Sequence, residues 1–273
     1  MDLNNKYDIL RKKIKSYGSL AVAYSGGLDS TFLLKAAFDV LGKKAIAITA
    51  HSATYPDREY KEASDFAAGL GIEHIVIIPE ELEIEEFTAN LPERCYFCKY
   101  ELFTKIKQTA KDKGIEFVAD GSNVDDQGDY RPGIKALESL GVLSPLKEAG
   151  MTKADIRALS KDMGLPTWDK PPFACLASRI PYGTRITKEK LEMVEKAEQY
   201  LLDMGFRQVR VRYHGEIARI EVSEEEMEKI FNKLIMDKIY NEFRRIGFNY
   251  TALDLKGYRT GSMNEVLALN RQG

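Results

Sequence analysis

The sequence predicts an α/β protein in which a domain built on a parallel sheet is followed by a small C-terminal α+β domain. Three observations carry this reading. Short apolar runs of strand length alternate with helix-length amphipathic segments through residues 3–163, a rhythm that gives a parallel sheet covered by helices on both faces. A glycine pair, Gly26-Gly27, stands between the first strand and its helix. Finally, Pro166, Pro171, Pro172, Pro181 and Gly183 punctuate residues 165–186 too densely for regular structure, and the pattern changes beyond them. The expected organisation is therefore a domain at 1–170, a cysteine-bearing linker at 171–186 and a small α+β domain at 187–273.

Taken in order, Leu3, Tyr7, Leu10, Ile14 and Tyr17 fall at helical spacing, and Gly18 stops that helix. Residues 19–24 read as a buried strand, and 31–41 as a helix ended by Gly42. A second strand is expected at 45–49, a helix at 58–70 and a strand at 75–78. Further helices are expected near 99–113, 131–140 and 153–163, the last capped by Thr152, with a strand at 117–119 between the first two. The second domain reads as a helix at 187–203, strands at 208–213 and 217–222 joined by the His214-Gly215 turn, helices within 223–246 and a strand at 250–255.

With 273 residues, 44% of them apolar, the chain can bury a sizeable core. A net charge of -2 gives no general attraction to nucleic acid or anionic membrane, so a small-molecule substrate is favoured and a nucleic-acid partner is not expected. No apolar run approaches the ~20 residues that span a bilayer, and the first residues lack a signal pattern, which gives a cytoplasmic expectation.

The run Ser25-Gly26-Gly27-Leu28-Asp29-Ser30 is the chemical centre of the sequence. Two glycines let the backbone turn with its N–H groups pointing inward, and the following helix adds its unpaired amides and positive dipole end, so the site suits an anion. Ser25 and Ser30 add hydroxyl donors, and Asp29 can cap the helix or help hold Mg2+. Neither the Lys-Ser/Thr pair of a mononucleotide P-loop nor the three-glycine dinucleotide pattern is present. Two other segments fall at strand ends, where parallel sheets bind ligands: His51-Ser52, and Asp120 to Asp126 with Asn123. The latter also reads as an ordinary turn.

All three cysteines lie in segments that read as loops: Cys95 and Cys98 in a Cys-x-x-Cys, and Cys175 in the linker. Two sulfurs at that spacing reach one metal. Three thiolates suit a 4Fe-4S cluster with one iron left open, zinc would require a fourth ligand, and the absence of any metal is the third alternative. Arg210 and Arg212, two apart on a strand, leave the same face and suit a phosphate with Glu221 as a partner, or simply describe a half-exposed strand. Arg179 and Arg185 beside Cys175 are further candidates for substrate contact. Tyr96, Phe97 and Tyr100 either shield the thiol pair, stack on an aromatic substrate or form an ordinary buried edge.

The Ser-Gly-Gly-x-Asp-Ser loop resembles that of the PP-loop ATP pyrophosphatases, of the adenine nucleotide alpha hydrolase-like fold. That resemblance implies that Ser25, Gly26, Gly27, Asp29 and Ser30 bind ATP with Mg2+, that His51 and Ser52 border the nucleoside, and that ATP is split between its α and β phosphates; with the loop present, the segment with Asn123 is also expected to serve the ATP site. With the segment from Ala174 to Arg185 and the Arg210-Val-Arg-Tyr-His-Gly215 run, the whole chain resembles the LarE family of ATP-dependent sulfur transferases. The resemblance implies adenylation of the carboxylates of pyridinium-3,5-biscarboxylic acid mononucleotide and their conversion to thiocarboxylates for the nickel-pincer cofactor. It also implies Asp29 and Cys175 as catalytic residues and a homo-oligomer. In one branch of the family the cysteine matching Cys175 gives up its own sulfur; in the other, it and a Cys-x-x-Cys hold a 4Fe-4S cluster. Cys95 and Cys98 match the second branch. A tRNA thiolation enzyme, which usually carries a basic extension not evident here, and a nucleotide-binding module with structural zinc are the competing readings.

Overall fold

The computed structural model describes residues 2–126, 132–172, 174–259 and 261–264. The chain forms two compact units, Met1–Phe87 with Pro92–Phe173, and Thr88–Leu91 with Ala174–Gly273.

The first unit opens with α1 (Leu3–Tyr17), whose cap is Asp2, accepting from the Asn5 N–H at 2.8 Å. There follow β1 (Leu20–Ala23), α2 (Leu28–Leu41), β2 (Ala45–Ala50), α3 (Asp57–Leu70), β3 (Glu73–Ile77), the short α4 (Glu85–Thr88), α5 (Arg94–Asp112) and β4 (Val118–Ala119). The unit closes with α6 (Pro132–Ser139), α7 (Pro145–Glu148) and α8 (Lys153–Asp162). The expected helix start at Arg131 lies outside the described residues. Thr152 caps α8, as the sequence led us to expect, and does so in a reciprocal capping box with Asp155.

All four strands are parallel, in the order β3-β2-β1-β4. Successive strand residues point to opposite faces, and both faces are covered. Leu20, Val22, Ala45 and Ala47 pack into a core with Phe32 and Leu33 of α2 and Ile156 of α8. Ala21, Ile46 and Ile48 pack into a second core with Phe103 and Ile106 of α5. Burial on both faces explains why these strands read as continuous apolar runs.

The structure corrects one element. Cys95 and Cys98 are not in a loop but in the first two turns of α5. Phe103, Ile106 and Ala110 anchor that helix at helical spacing, and once a helix has formed it extends over neighbouring residues at little cost.

In the second unit, α9 (Lys188–Asp203) is followed by β5 (Val209–His214), β6 (Ile217–Val222), α10 (Met227–Ile230), α11 (Lys233–Ile246) and β7 (Tyr250–Leu253). β5 and β6 are antiparallel, β6 and β7 parallel, and the sheet's core is formed by residues such as Val211, Ile220, Leu201 and Phe243. Residues 88–91 belong to this unit because Asn90, at φ 57, fastens the turn before α9. Its side-chain amide donates to the carbonyls of Ile180, Pro181 and Thr184 at 3.2, 2.8 and 3.0 Å.

Candidate functional site

The glycine-rich loop joins the C-terminal end of β1 to α2, where a parallel sheet presents its loops to ligands. Gly26 has φ 62, and a Cβ there would lie 2.8 Å from the Cβ of Ala63 on α3, so glycine is required both by backbone conformation and by space. Gly27 is the N-cap of α2 and has no side chain to consume its amides. The Ser25 and Ser30 hydroxyls lie 3.1 Å apart, and the Ser25 N–H donates to Ser30 Oγ at 3.3 Å. Gly121, just beyond β4, brings a second strand end against the loop; a Cβ on it would lie 3.0 Å from the Ser30 nitrogen. Gly26→Ala is expected to cost about 1–3 kcal/mol of stability, read by denaturant unfolding, and to weaken anion binding by the loop.

Asn123, fully buried, is brought to the same place. Its amide donates to Asp29 Oδ1 at 3.2 Å, its N–H donates to Asp126 Oδ2 at 3.0 Å, and its Oδ1 accepts from the Asp125 N–H at 2.9 Å. The segment is thus a turn, and the turn delivers an amide to the phosphate loop. Burial raises the Asp29 carboxyl to about 6; Lys153 and the Asn123 hydrogen bond pull against that, and the Asp126 charge adds to it. A half-covered carboxylate with a second one nearby is a donor set for a hard divalent cation.

His51 Nε2 lies 2.8 Å from Asp57 Oδ1, and its ring stacks on Tyr60 with centroids 4.1 Å apart. Ser52 begins the turn after β2, its hydroxyl 3.0 Å from Thr54 Oγ1, which in turn donates to the buried Glu81 at 3.1 Å.

In α5, Cys95 and Cys98 are one turn apart and share a helix face. Cys95 is exposed, and neither is in a disulfide. Gly133 of α6 lies close to this turn, where a Cβ would meet the Cys95 carbonyl at 3.3 Å. Tyr96 stacks on Tyr100 and meets Phe97 edge-on. Among the described residues, neither unit by itself gathers three or more histidine, cysteine, aspartate or glutamate side chains in an arrangement that holds a metal.

In the second unit, Cys175 is exposed and precedes a single 3-10 turn, Leu176–Arg179. Arg179 corrects an expectation. It is 0% exposed, with Nε and Nη2 donating to Glu198 at 2.9 and 3.0 Å and Nη1 donating to the carbonyls of Ala174 and Cys175. Its guanidinium is taken up by these acceptors, so it holds the Cys175 segment in shape rather than facing a ligand. Arg185 is exposed, and its carbonyl accepts from Lys190 Nζ.

Arg210 and Arg212 share a face of β5, as expected, but that face is buried: they are 8% and 5% exposed. Arg212 pairs with Glu221 at 2.7 Å and donates to Ser262 at 3.0 Å, while its Nε has no hydrogen-bond partner among the described residues. Arg210 lies over the Tyr258 ring. Its guanidinium pKa is lowered, first by burial and then by the Arg179 charge. Burial pushes the Glu198 carboxyl up, but Arg179 and the Val211 N–H outweigh it and hold it below the usual carboxylate range. That stabilisation is present above the unfolded value of 4.5 and is lost as pH falls through the depressed folded value. Glu198→Ala is expected to destabilise the second unit by about 3–5 kcal/mol in denaturant unfolding, because it strands a buried guanidinium.

No protein-family model matches the chain. It is 43% identical over 265 residues to an uncharacterized protein of Synechocystis sp., covering 97% of this chain and 99% of the relative. It is 29% identical over 191 residues to the tRNA-specific 2-thiouridylase MnmA of Azorhizobium caulinodans, covering 56% of this chain and 48% of that protein. To the pyridinium-3,5-bisthiocarboxylic acid mononucleotide synthase of Lactiplantibacillus plantarum it is 37% identical over 268 residues, covering 97% of this chain and 96% of the synthase. A match of that depth runs from the phosphate loop through the Cys175 segment and β5, and the chain belongs to the pyridinium-3,5-bisthiocarboxylic acid mononucleotide synthase, or LarE, family.

Proposed function

We propose that the chain activates the carboxylates of pyridinium-3,5-biscarboxylic acid mononucleotide with ATP and replaces an oxygen of each with sulfur, in assembly of the nickel-pincer nucleotide. The observation that carries this reading is the phosphate loop, with its uncapped helix N-terminus and Asp29 beside it, in a chain of this family. A carboxylate oxygen is a poor leaving group, so direct attack by sulfur fails. Attack of that oxygen on the α-phosphorus of ATP expels pyrophosphate and makes the oxygen part of an AMP leaving group. The loop amides and the Ser25 and Ser30 hydroxyls hold the pyrophosphate, and Asp29 is the residue that would hold Mg2+, which would neutralise phosphate charge. A sulfur nucleophile then adds to the acyl carbon and AMP departs.

The substrate's phosphate monoester suits the Arg210 and Arg212 cluster, where guanidinium groups repel one another and Arg212 Nε lacks a partner among the described residues. Arg185, exposed near Cys175 in the chain, is a second candidate for the substrate.

Cys95, Cys98 and Cys175 are the thiolates that would hold a 4Fe-4S cluster; the donor set fits, being all sulfur, outside any disulfide and in part exposed. Such a cluster supplies an iron without a protein ligand, and with it a replaceable sulfur. The second reading, in which Cys175 gives up its own sulfur, is favoured by the exposure of that residue and needs neither Cys95 nor Cys98. We further propose a cytoplasmic homo-oligomer with no nucleic-acid partner. No described helix is long and apolar enough to cross a membrane.

The test is pyrophosphate release with ATP and Mg2+, measured with and without the pyridinium mononucleotide. Release that depends on the mononucleotide supports the proposal. Release driven by tRNA instead, or ATP binding with no release under any condition, removes it.

A further inference from the structure

Two consecutive peptide groups of the phosphate loop are gripped by side chains distant in sequence. Tyr55 Oη donates to the Ser25 carbonyl at 2.7 Å, and Lys170 Nζ donates to the Gly26 carbonyl at 3.3 Å. Both peptides are trans. In a planar trans peptide the C=O and the following N–H point in opposite directions, so fixing these carbonyls fixes the directions of the Gly26 and Gly27 N–H groups. The side toward α3 is filled, since a Cβ on Gly26 would meet both Ala63 and the Glu59 carbonyl. The two amides therefore point away from the Tyr55 hydroxyl and the Lys170 ammonium, which leaves them free of these two side chains for an anion.

The grip is itself supported. Lys170 Nζ also donates to Glu62 Oε2 at 2.8 Å and forms an ion pair with Glu59 Oε2 at 2.6 Å. Its carbonyl accepts from Arg157 Nη2 at 3.1 Å, and Arg157 Nη1 holds the Trp168 carbonyl at 2.6 Å. Burial, reinforced by Glu59, pushes the Tyr55 phenol up, so Tyr55 stays a donor through the physiological pH range. A surface ion pair would require only one carboxylate partner; here a lysine only 14% exposed is aimed at the backbone of the loop.

We propose that Tyr55 and Lys170 are positioning residues of the ATP site, which orient the loop's amides and so set how tightly the β and γ phosphates are held. The inference rests on the reading of this loop as the ATP site. Neither residue touches the reacting atoms.

The test measures binding of Mg·ATP, pyrophosphate and AMP by titration calorimetry to wild type, Tyr55→Phe, Lys170→Met and Lys170→Arg, with thermal unfolding alongside. Loss of one such orienting bond is expected to weaken Mg·ATP and pyrophosphate about tenfold, with AMP within about twofold of wild type and Lys170→Arg recovering most of the loss. Variants that bind pyrophosphate as tightly as wild type, with only the unfolding temperature lowered, would reduce both residues to a structural staple and overturn the inference. Equal weakening of AMP would overturn it too, since the effect would then not lie at the phosphates. If wild type itself binds neither ATP nor pyrophosphate, the ATP reading of the loop fails and the inference falls with it. Tyr55→Phe removes a single oxygen, and keeps the test decisive should Lys170→Met not fold.

Discussion

Replacing Cys175 with alanine is expected to abolish formation of the sulfur-containing product while pyrophosphate release from ATP persists. The two half-reactions use different groups. In the proposed mechanism, activation uses the phosphate loop and Asp29, both in the first unit, whereas sulfur transfer uses Cys175, in the second. The Arg179 contacts to the carbonyls of Ala174 and Cys175 do not involve the thiol, so the segment keeps its shape in the variant. Loss of both half-reactions would show that Cys175 supports the fold or the activation step. Cys95→Ala then separates the two sulfur sources. Dependence on a cluster requires that this variant transfer no sulfur, and that protein purified without oxygen carry iron and acid-labile sulfide which the variant loses. A sacrificial enzyme keeps one turnover in Cys95→Ala, ends with Cys175 as dehydroalanine and carries no iron.

The second large effect belongs to Asp29. With its carboxyl raised to about 6 by burial, the ligand-free protein holds a proton there over a range where an unfolded aspartate is already ionised. For Asp29 to hold Mg2+ as proposed, that proton would have to leave. The efficiency of Mg·ATP turnover is therefore expected to fall about tenfold per pH unit below about 6, and to level off above it. Asp29→Asn removes this limb and lowers turnover on the order of 10²–10³-fold above about pH 6, with the deficit shrinking at lower pH as wild type falls. For stability the sign runs the other way. A raised carboxyl pKa means the folded chain binds the extra proton, so this group costs stability as pH rises from 3.8 through about 6, and bound Mg2+ offsets that cost. A pH profile unchanged by Asp29→Asn would assign the limb to another group.

How much of this could be read from the sequence depended on how local each cause is. The phosphate loop was legible because the glycine pair, the apolar run before it and the amphipathic run after it are contiguous. The parallel sheet was legible because β1 and β2 are buried on both faces and so show uninterrupted apolar residues. The pairing of Arg212 with Glu221 was also within reach, since one turn separates two adjacent strands. The start of α5 was missed because Cys-Tyr-Phe-Cys has no marked helical preference, and its structure comes from the anchoring residues further along. Arg179 was misassigned because its partner Glu198 stands nineteen positions away on α9, with nothing in the pattern of either segment to announce the pair. Tyr55 and Lys170 were invisible for the same reason, since they reach the loop from 30 and 144 positions away. Likewise Asn90 carries no motif, and only the folded chain shows that it fastens the turn at 180–184.

The central claim is that each pyrophosphate released marks one oxygen-to-sulfur exchange on the same carboxylate. The most direct measurement follows pyrophosphate and product mass together, in one reaction of the wild-type protein with ATP, Mg2+ and pyridinium-3,5-biscarboxylic acid mononucleotide. We predict one pyrophosphate for each sulfur gained, with AMP as the other product. Pyrophosphate released while the mononucleotide keeps both carboxylates, or sulfur gained with ADP and phosphate as products, would contradict it.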